Sequence, residues 1–252
     1  MKIVRYEHRG TVGYGLWREG FIHPVAGRLF DSLSETGERL PEAEVRLLSP
    51  LRPNKLIAIG LNYREHAKEQ GKPLPEEPLL FLVSPTAVVG PGDAIRLPTL
   101  EHRIDHEAEL AVVIGRGGKD IPREKAEEYI FGYTCANDVS NRVLQARDGQ
   151  NTRAKSFDTF KPLGPAIATE LDPSDLSVCC RVNGEIRQDG RTSDMIHAVP
   201  ALVEFISSVF PLEPGDVILT GTPSGVGPLR PGDLVEVTVE GIGTLSNRVE
   251  AE

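Results

Sequence analysis

Residues Ile104-Asp105-His106-Glu107-Ala108-Glu109-Leu110-Ala111-Val112-Val113-Ile114-Gly115 read as a β-strand running into a glycine. Glu107 and Glu109 stand two residues apart, so strand alternation turns both carboxylates to one face. Two like charges on a partly buried face repel each other and lose hydration unless a cation lies between them. The apolar run Leu110 to Ile114 that follows argues against a purely solubilising role. The segment therefore points to a divalent metal site. For the pair taken alone, a solvent-exposed strand face competes. Asp105 falls on the same face, as a supporting group or a solvent-facing one.

A third carboxylate, Asp138, lies in Ala136-Asn137-Asp138-Val139-Ser140-Asn141-Arg142, just after the apolar-aromatic strand Tyr129 to Thr134. Alone it also reads as an Asx turn or helix cap. Three carboxylates without clustered His or Cys suit a hard, oxygen-seeking ion (Mg²⁺, Mn²⁺ or Ca²⁺) rather than zinc. Three protein ligands would leave coordination positions for water and a chelating substrate. Lys155, in the turn-rich segment 153–165, can bind an anionic oxygen or transfer a proton if it lies near such a site. In isolation it reads as a solvated loop lysine. His66 and Glu69 are three residues apart in a short helix after the strand Lys55 to Gly60, hence on one helical face. A carboxylate-oriented histidine is a general-base arrangement, although a chance surface pair has the same spacing. The polar, Pro-rich stretch Lys72 to Pro78 suits a mobile lid. In Ile218 to Gly227, backbone N–H groups and Thr222 can hold a carboxylate. A plain turn fits that loop equally well, and the phosphate-loop pattern GxxxxGK[ST] is absent.

Bulk properties set the frame. The 252 residues suffice for one sizeable core with a small appendage. A net charge of −9 argues against a general nucleic-acid or anionic-membrane surface. No apolar run reaches membrane-spanning length, the N-terminus lacks a signal-peptide core, and the three cysteines form no zinc or CxxC spacing, so the chain reads as cytoplasmic. Residues 1–50 read as a small β domain, with strands at Ile3 to Tyr6, Val12 to Trp17 and Gly20 to Val25 and a helical segment near Asp31 to Leu40. Pro50 and Pro53 mark a boundary, and 51–252 form the main domain. Helices are expected at Arg123 to Tyr129 and at Met195 to Val209, with Ile196, Val199, Leu202, Val203 and Ile206 on one face. Strands are expected at 216–220, 234–239 and 243–249. Helices and strands do not alternate regularly, so the class is α+β, mostly mixed β-sheet, and not a doubly wound parallel sheet.

Together these segments resemble the fumarylacetoacetate hydrolase family, over about Leu56 to Val249. The pattern runs through Gly60-Leu61-Asn62-Tyr63 with His66 and Glu69, Pro78 with Phe81, Ser84-Pro85-Thr86, and Asp105 to Gly115. It continues through Asn137-Asp138-Val139-Ser140, Thr152 to Asp158, Val182-Asn183-Gly184 and Leu219 to Gly227. The resemblance implies a β-roll or barrel, a homodimer and a Mg²⁺ or Mn²⁺ site. By position, Glu107, Glu109 and Asp138 resemble the metal ligands, and His66 and Glu69 resemble the catalytic dyad on a lid. Lys155, Gln145, Thr222 and Arg142 look like substrate-contacting residues. Two departures stand out: Ser140-Asn141-Arg142-Val143 replaces the usual Ser-Ala-Arg-Asp, and Asn151 replaces a frequent Trp.

Chemistry and resemblance agree on an enzyme that stabilises the enolate of a small, metal-chelated 2-oxo acid. Lys155 would add positive charge or move a proton, and His66 would activate water or transfer a proton. The length and small N-terminal region are similar to the 2-hydroxyhepta-2,4-diene-1,7-dioate isomerases of aromatic catabolism. Acylpyruvate hydrolysis and oxaloacetate decarboxylation are the alternatives, and a non-catalytic ligand-binding homologue is a further one.

Overall fold

The computed structural model describes all 252 residues. The apolar run that ends the glutamate segment forms the strand Ala108–Ile114, fully buried along its length. Leu110, Val112 and Ile114 face one core cluster, while Ala111 and Val113 face another with Leu56, Ala58, Val217 and Leu219. A strand covered on both faces has no use for polar alternation, which explains the continuous apolar sequence. Each such Val, Leu or Ile contributes on the order of 1.5–3 kcal/mol by leaving water.

This strand lies inside a mixed sheet of thirteen strands. Along its main path the order is Leu33–Glu35, Phe21–Gly27, Thr11–Arg18, Lys2–His8, Lys161–Ala168, Ile130–Asn137, Ala108–Ile114, Val217–Leu219, Leu56–Gly60 and Leu79–Val83. Most pairings are antiparallel, whereas Val217–Leu219 runs parallel to Leu56–Gly60. The N-terminal strands join through Lys2 opposite Ala168 and Ile3 opposite Ile167. A second sheet of five strands, Ile95–Leu97, Gly243–Ala251, Leu234–Val239, Ser177–Val182 and Glu185–Arg191, closes over the larger core. A third, small sheet joins Ser140–Asn141, Ile104–His106 and Gly227–Pro228. The fold is α+β with strands in the majority, and the sheets stay open rather than closing into a barrel. No helix is long and apolar enough to cross a membrane.

Four local expectations change. Ile104 to Gly115 is not one strand: it breaks at Glu107, between Ile104–His106 in the small sheet and Ala108–Ile114 in the large one. Side chains replace the ladder there, because the Glu107 N–H donates to Asn137 Oδ1 and the Ala108 N–H to Gln188 Oε1, both at 3.0 Å. The segment 31–40 is not helical; it contains the short strand Leu33–Glu35 and a turn at Gly37, φ +88°, ahead of the strand Leu40–Pro41. The C-terminal helix starts at Val199, not Met195. The preceding residues are drawn off by Asn62, whose main-chain carbonyl accepts from Ile196 N–H at 2.8 Å and whose Oδ1 accepts from His197 N–H at 2.9 Å. Residues Arg123–Tyr129 coil as a 3₁₀ rather than an α-helix.

Gly221 is where the fold and the acidic strand meet. Its φ is +97°, and a Cβ there would sit 2.7 Å from the Cβ of Asn62. Its N–H donates to Glu109 Oε2 at 2.8 Å. Gly221→Ala should therefore cost about 1–3 kcal/mol through backbone strain and crowding, measurable as a lowered guanidinium midpoint. A midpoint unchanged from the parent protein would contradict this placement.

Candidate active site

The strand break puts Glu107 at a junction, and strand alternation places Glu109 two residues on. Asp138 follows the strand Ile130–Asn137, and its N–H donates to the Glu107 carbonyl at 2.9 Å. One carboxylate oxygen from each of Glu107, Glu109 and Asp138 falls within 4.8 Å of the other two, and all three residues are buried. The expectation that the two glutamates share a side therefore holds, although the strand that suggested it is interrupted.

Lys155 ends the short helix Thr152–Lys155 and is buried. Its Nζ donates to Glu107 Oε2 at 2.7 Å and to Asp138 Oδ2 at 2.5 Å. Arg142 opens the helix Arg142–Asp148, whose first turn is capped by Asn141 Oδ1 accepting from Leu144 N–H at 3.1 Å. Its guanidinium reaches Glu107 Oε1 at 2.5 Å, Asp105 Oδ2 at 2.9 Å and Gln145 Oε1 at 2.9 Å. Gln145 lies one turn later and donates to Asn151 Oδ1 at 2.9 Å. Asp105 is thus a buried support, not a solvent-facing group.

His66 and Glu69 lie on the helix Arg64–Glu69. His66 Nδ1 is 2.9 Å from Glu69 Oε2, and Glu69 Oε1 accepts from Gly225 N–H at 3.0 Å. The dyad is therefore tied to the glycine-rich loop that carries Thr222. His66, Glu107, Glu109, Arg142, Gln145, Lys155 and Thr222 all line one cavity of about 700 Å³. Lys72 to Pro78 has no regular structure; Lys72 reaches the cavity wall, and the Pro75 carbonyl lies 3.2 Å from His197 Nε2.

Thr222 has less freedom than its place in the loop suggests. Its hydroxyl donates to the Ala108 carbonyl at 2.8 Å and accepts from Gln188 Nε2 at 2.7 Å. The single hydroxyl proton is spent, so toward a ligand that oxygen can only accept.

Sequence reasoning missed three supports. Gln188 is fully buried; its Oε1 takes the Ala108 N–H and lies 3.0 Å from His106 Nδ1, while its Nε2 also donates to the Pro223 carbonyl at 2.8 Å. It comes from the second sheet, so no local pattern joins it to Glu107. Asn137 holds the Glu107 N–H, as described above. Lys161 is buried behind Asp138, with Nζ 2.8 Å from Asp138 Oδ1 and hydrogen bonds to the Val139 and Phe160 carbonyls. A lysine opening the otherwise apolar strand Lys161–Ala168 is its available signal.

The charges divide unequally. Burial works to raise the Glu107 carboxyl, but Arg142 and Lys155 outweigh it and hold it far below the usual range. Glu109 goes the other way: burial, then the charges of Asp138 and Glu107, push it well above. Burial disfavours a charged Lys155, yet Asp138 and Glu107 reverse that and keep it an ammonium. Burial lowers Lys161 to about 8 in spite of Asp138.

Three oxygen donors with no imidazole or thiolate among them fit a hard divalent cation. Two further observations fit as well. Burial and the charges of Asp138 and Glu107 together raise Glu109, a penalty that a cation held there would relieve. Asp138 Oδ1 is buried without an aligned hydrogen bond, despite the nearby Lys161 Nζ.

Comparison with known proteins matches the fumarylacetoacetate hydrolase C-terminal family model over residues 55–250. The chain belongs to the fumarylacetoacetate hydrolase family. Residues 1–50 match a separate model described as Rv2993c-like, N-terminal. A 2-hydroxyhepta-2,4-diene-1,7-dioate isomerase structure from Mycobacterium marinum is 44% identical with a TM-score of 0.93, covering 100% of this chain and 99% of that one. Maleylpyruvate hydrolase from Sphingobium sp. SYK-6, in complex with manganese(II) and pyruvate, is 30% identical with a TM-score of 0.84 and the same coverage. The human mitochondrial oxaloacetate tautomerase FAHD2A is 44% identical over 223 residues, covering 83% of this chain and 71% of that one. Members of the family named among these relatives are thus isomerases, hydrolases and tautomerases.

Lys155→Met in metal-free buffer removes the ammonium and strands two buried carboxylates. Unfolding free energy at neutral pH should fall by about 3–5 kcal/mol. Because Glu107 titrates below its unfolded value, the stability it contributes is present above the ordinary carboxylate range and lost as pH falls through the folded value. The gap between variant and parent should therefore narrow in acid. Denaturation curves across pH read this directly, and a gap that widens in acid would contradict it.

Proposed function

We propose that this protein is a divalent-metal-dependent enzyme that moves protons on small 2-oxo or 2-hydroxydienoate acids, in the manner of a 2-hydroxyhepta-2,4-diene-1,7-dioate isomerase. The observation that carries the reading is one cavity lined by Glu107 and Glu109, which converge with Asp138, by a buried lysine and by a carboxylate-held histidine. A cation held by Glu107, Glu109 and Asp138 would supply Lewis acidity toward the carboxylate and adjacent oxygen of the acid.

The remaining work falls to the chain's own groups. Lys155 places positive charge where the substrate oxygen gains negative charge as a neighbouring C–H proton leaves. His66, anchored through Nδ1 by Glu69, keeps Nε2 for taking and returning that proton. Because Glu69 also accepts from Gly225, the histidine's position is linked to the Thr222 loop. Gln145 and Arg142 line the cavity beside the triad, and the Thr222 oxygen adds an acceptor.

The manganese and pyruvate named for the maleylpyruvate hydrolase support both the metal and the oxo-acid class. Mg²⁺ is the ion proposed, with Mn²⁺ as the alternative and Ca²⁺ as a substitute occupant in crystals. C–C hydrolysis of an acylpyruvate is the second reading. It is favoured by that same relative, and by the ability of a carboxylate-held histidine to activate water instead of a carbon acid. Oxaloacetate decarboxylation would use the same enolate. The homodimer expected of the family is part of the proposal and is read by sedimentation.

A panel of hydroxymuconate-type acids, acylpyruvates and oxaloacetate, assayed with Mg²⁺ and with EDTA, tests the reading. Turnover should require the metal and be abolished in Glu107→Ala. His66→Gln should lower kcat by about 10²–10⁴-fold with little change in KM. Equal turnover with and without chelator would contradict the proposal. Retention of full kcat in His66→Gln would remove the histidine from the mechanism.

A further inference from the structure

The cavity lined by Glu107 and Glu109 is also lined by cations that bond to neither of them. Arg103, just before the strand Ile104–His106, lies on its wall together with Lys72. Arg103 Nε donates to Asp105 Oδ1 at 2.8 Å, while Asp105 Oδ2 accepts from Arg142 Nε at 2.9 Å. Asp105 is 1% exposed. A buried carboxylate therefore accepts from the Nε–H of two guanidinium groups.

The two arginines differ in what they have left to give. Arg142 spends one terminal nitrogen on Gln145 and the other on Glu107. Arg103 is bonded only through Nε, and its side chain is 56% exposed. A guanidinium aimed by one Nε–H bond, with its terminal N–H groups free, can capture a carboxylate bidentately. Lys72, with no carboxylate in ion-pair contact, is a second positive charge lining the same cavity. Between Arg103 and the triad stand Asp105 and Arg142. A ligand that meets both ends must carry its acid groups at opposite ends of a chain.

We propose that Arg103, aimed by Asp105 and assisted by Lys72, is a specificity-determining residue that receives a second carboxylate at the far end of the substrate. The inference rests on the oxo-acid reading above and narrows it to diacids. Arg142 would serve the triad end and Arg103 the distal end.

The test is calorimetric binding to the Mn²⁺-loaded protein of two ligands of equal carbon count, 2-oxoglutarate and 2-oxopentanoate, which differ in a terminal carboxylate. The parent protein should favour the diacid by about tenfold or more, the scale of a charged hydrogen-bonded contact. Arg103→Gln keeps a donor for Asp105; it should lose about that factor for the diacid and shift the monoacid by less than about twofold. Lys72→Ala, at an exposed position, should lose a few-fold for the diacid alone, and it carries the test if Arg103→Gln fails to fold. Equal binding of both ligands by the parent, or an unchanged preference in Arg103→Gln, overturns the distal clamp and leaves the oxo-acid reading standing. Binding of neither ligand overturns the oxo-acid reading and the clamp with it.

Discussion

The repulsion among Glu107, Glu109 and Asp138 is the term that the surrounding structure has to answer. Three carboxylates within 4.8 Å of one another, all buried, would not persist in an apolar interior unaided. Lys155 and Arg142 answer for Glu107, and Lys161 sits behind Asp138. Glu109 has only the Gly221 N–H and a more distant Lys155, and burial together with the charges of Asp138 and Glu107 raises its carboxyl well above the usual range. On the proposed reading, a cation at the triad would offset this imbalance, which would link its binding to pH.

The backbone around the triad is arranged for the same end. Breaking the strand at Glu107 takes that residue out of the sheet ladder and leaves its carboxylate free to converge with the others. The cost of lost ladder bonds is offset by Asn137 and Gln188, whose amides take the two N–H groups at the break. Gln188 then binds the Thr222–Pro223 loop with its other end. One fully buried side chain thus fixes the Glu107–Glu109 segment relative to the Thr222 loop that lines the cavity. Glu69 does the equivalent on the opposite side, joining His66 to Gly225.

Much of this was legible in the sequence where the signal is local. The apolar run after Glu109 announced a doubly covered strand, the Glu-x-Glu spacing announced a shared side, and His66 with Glu69 announced a helical pair. What lay beyond reach was set by partners distant in sequence. Nothing near Glu107 foretells the break, because it depends on Gln188 from another sheet and Asn137 from a neighbouring strand. Nothing near Met195 foretells a late helix start, because Asn62 draws off the preceding N–H groups. The spent proton of Thr222 is equally out of local reach, because it goes to the carbonyl of Ala108, distant in the chain. The polar stretch Asp31 to Leu40 read as helix by composition, yet pairing with Phe21–Gly27 decided its shape.

The central claim is that the three carboxylates form one divalent-cation site that presents a 2-oxo acid to the histidine–lysine pair. Titration of Mn²⁺ into the metal-free protein, followed by electron paramagnetic resonance and then by addition of pyruvate, tests it most directly. The account predicts a single bound ion per chain, a spectrum that changes when pyruvate is added, and loss of that ion in Glu109→Gln. Binding that survives Glu109→Gln unchanged, or a bound-ion spectrum indifferent to pyruvate, would contradict it.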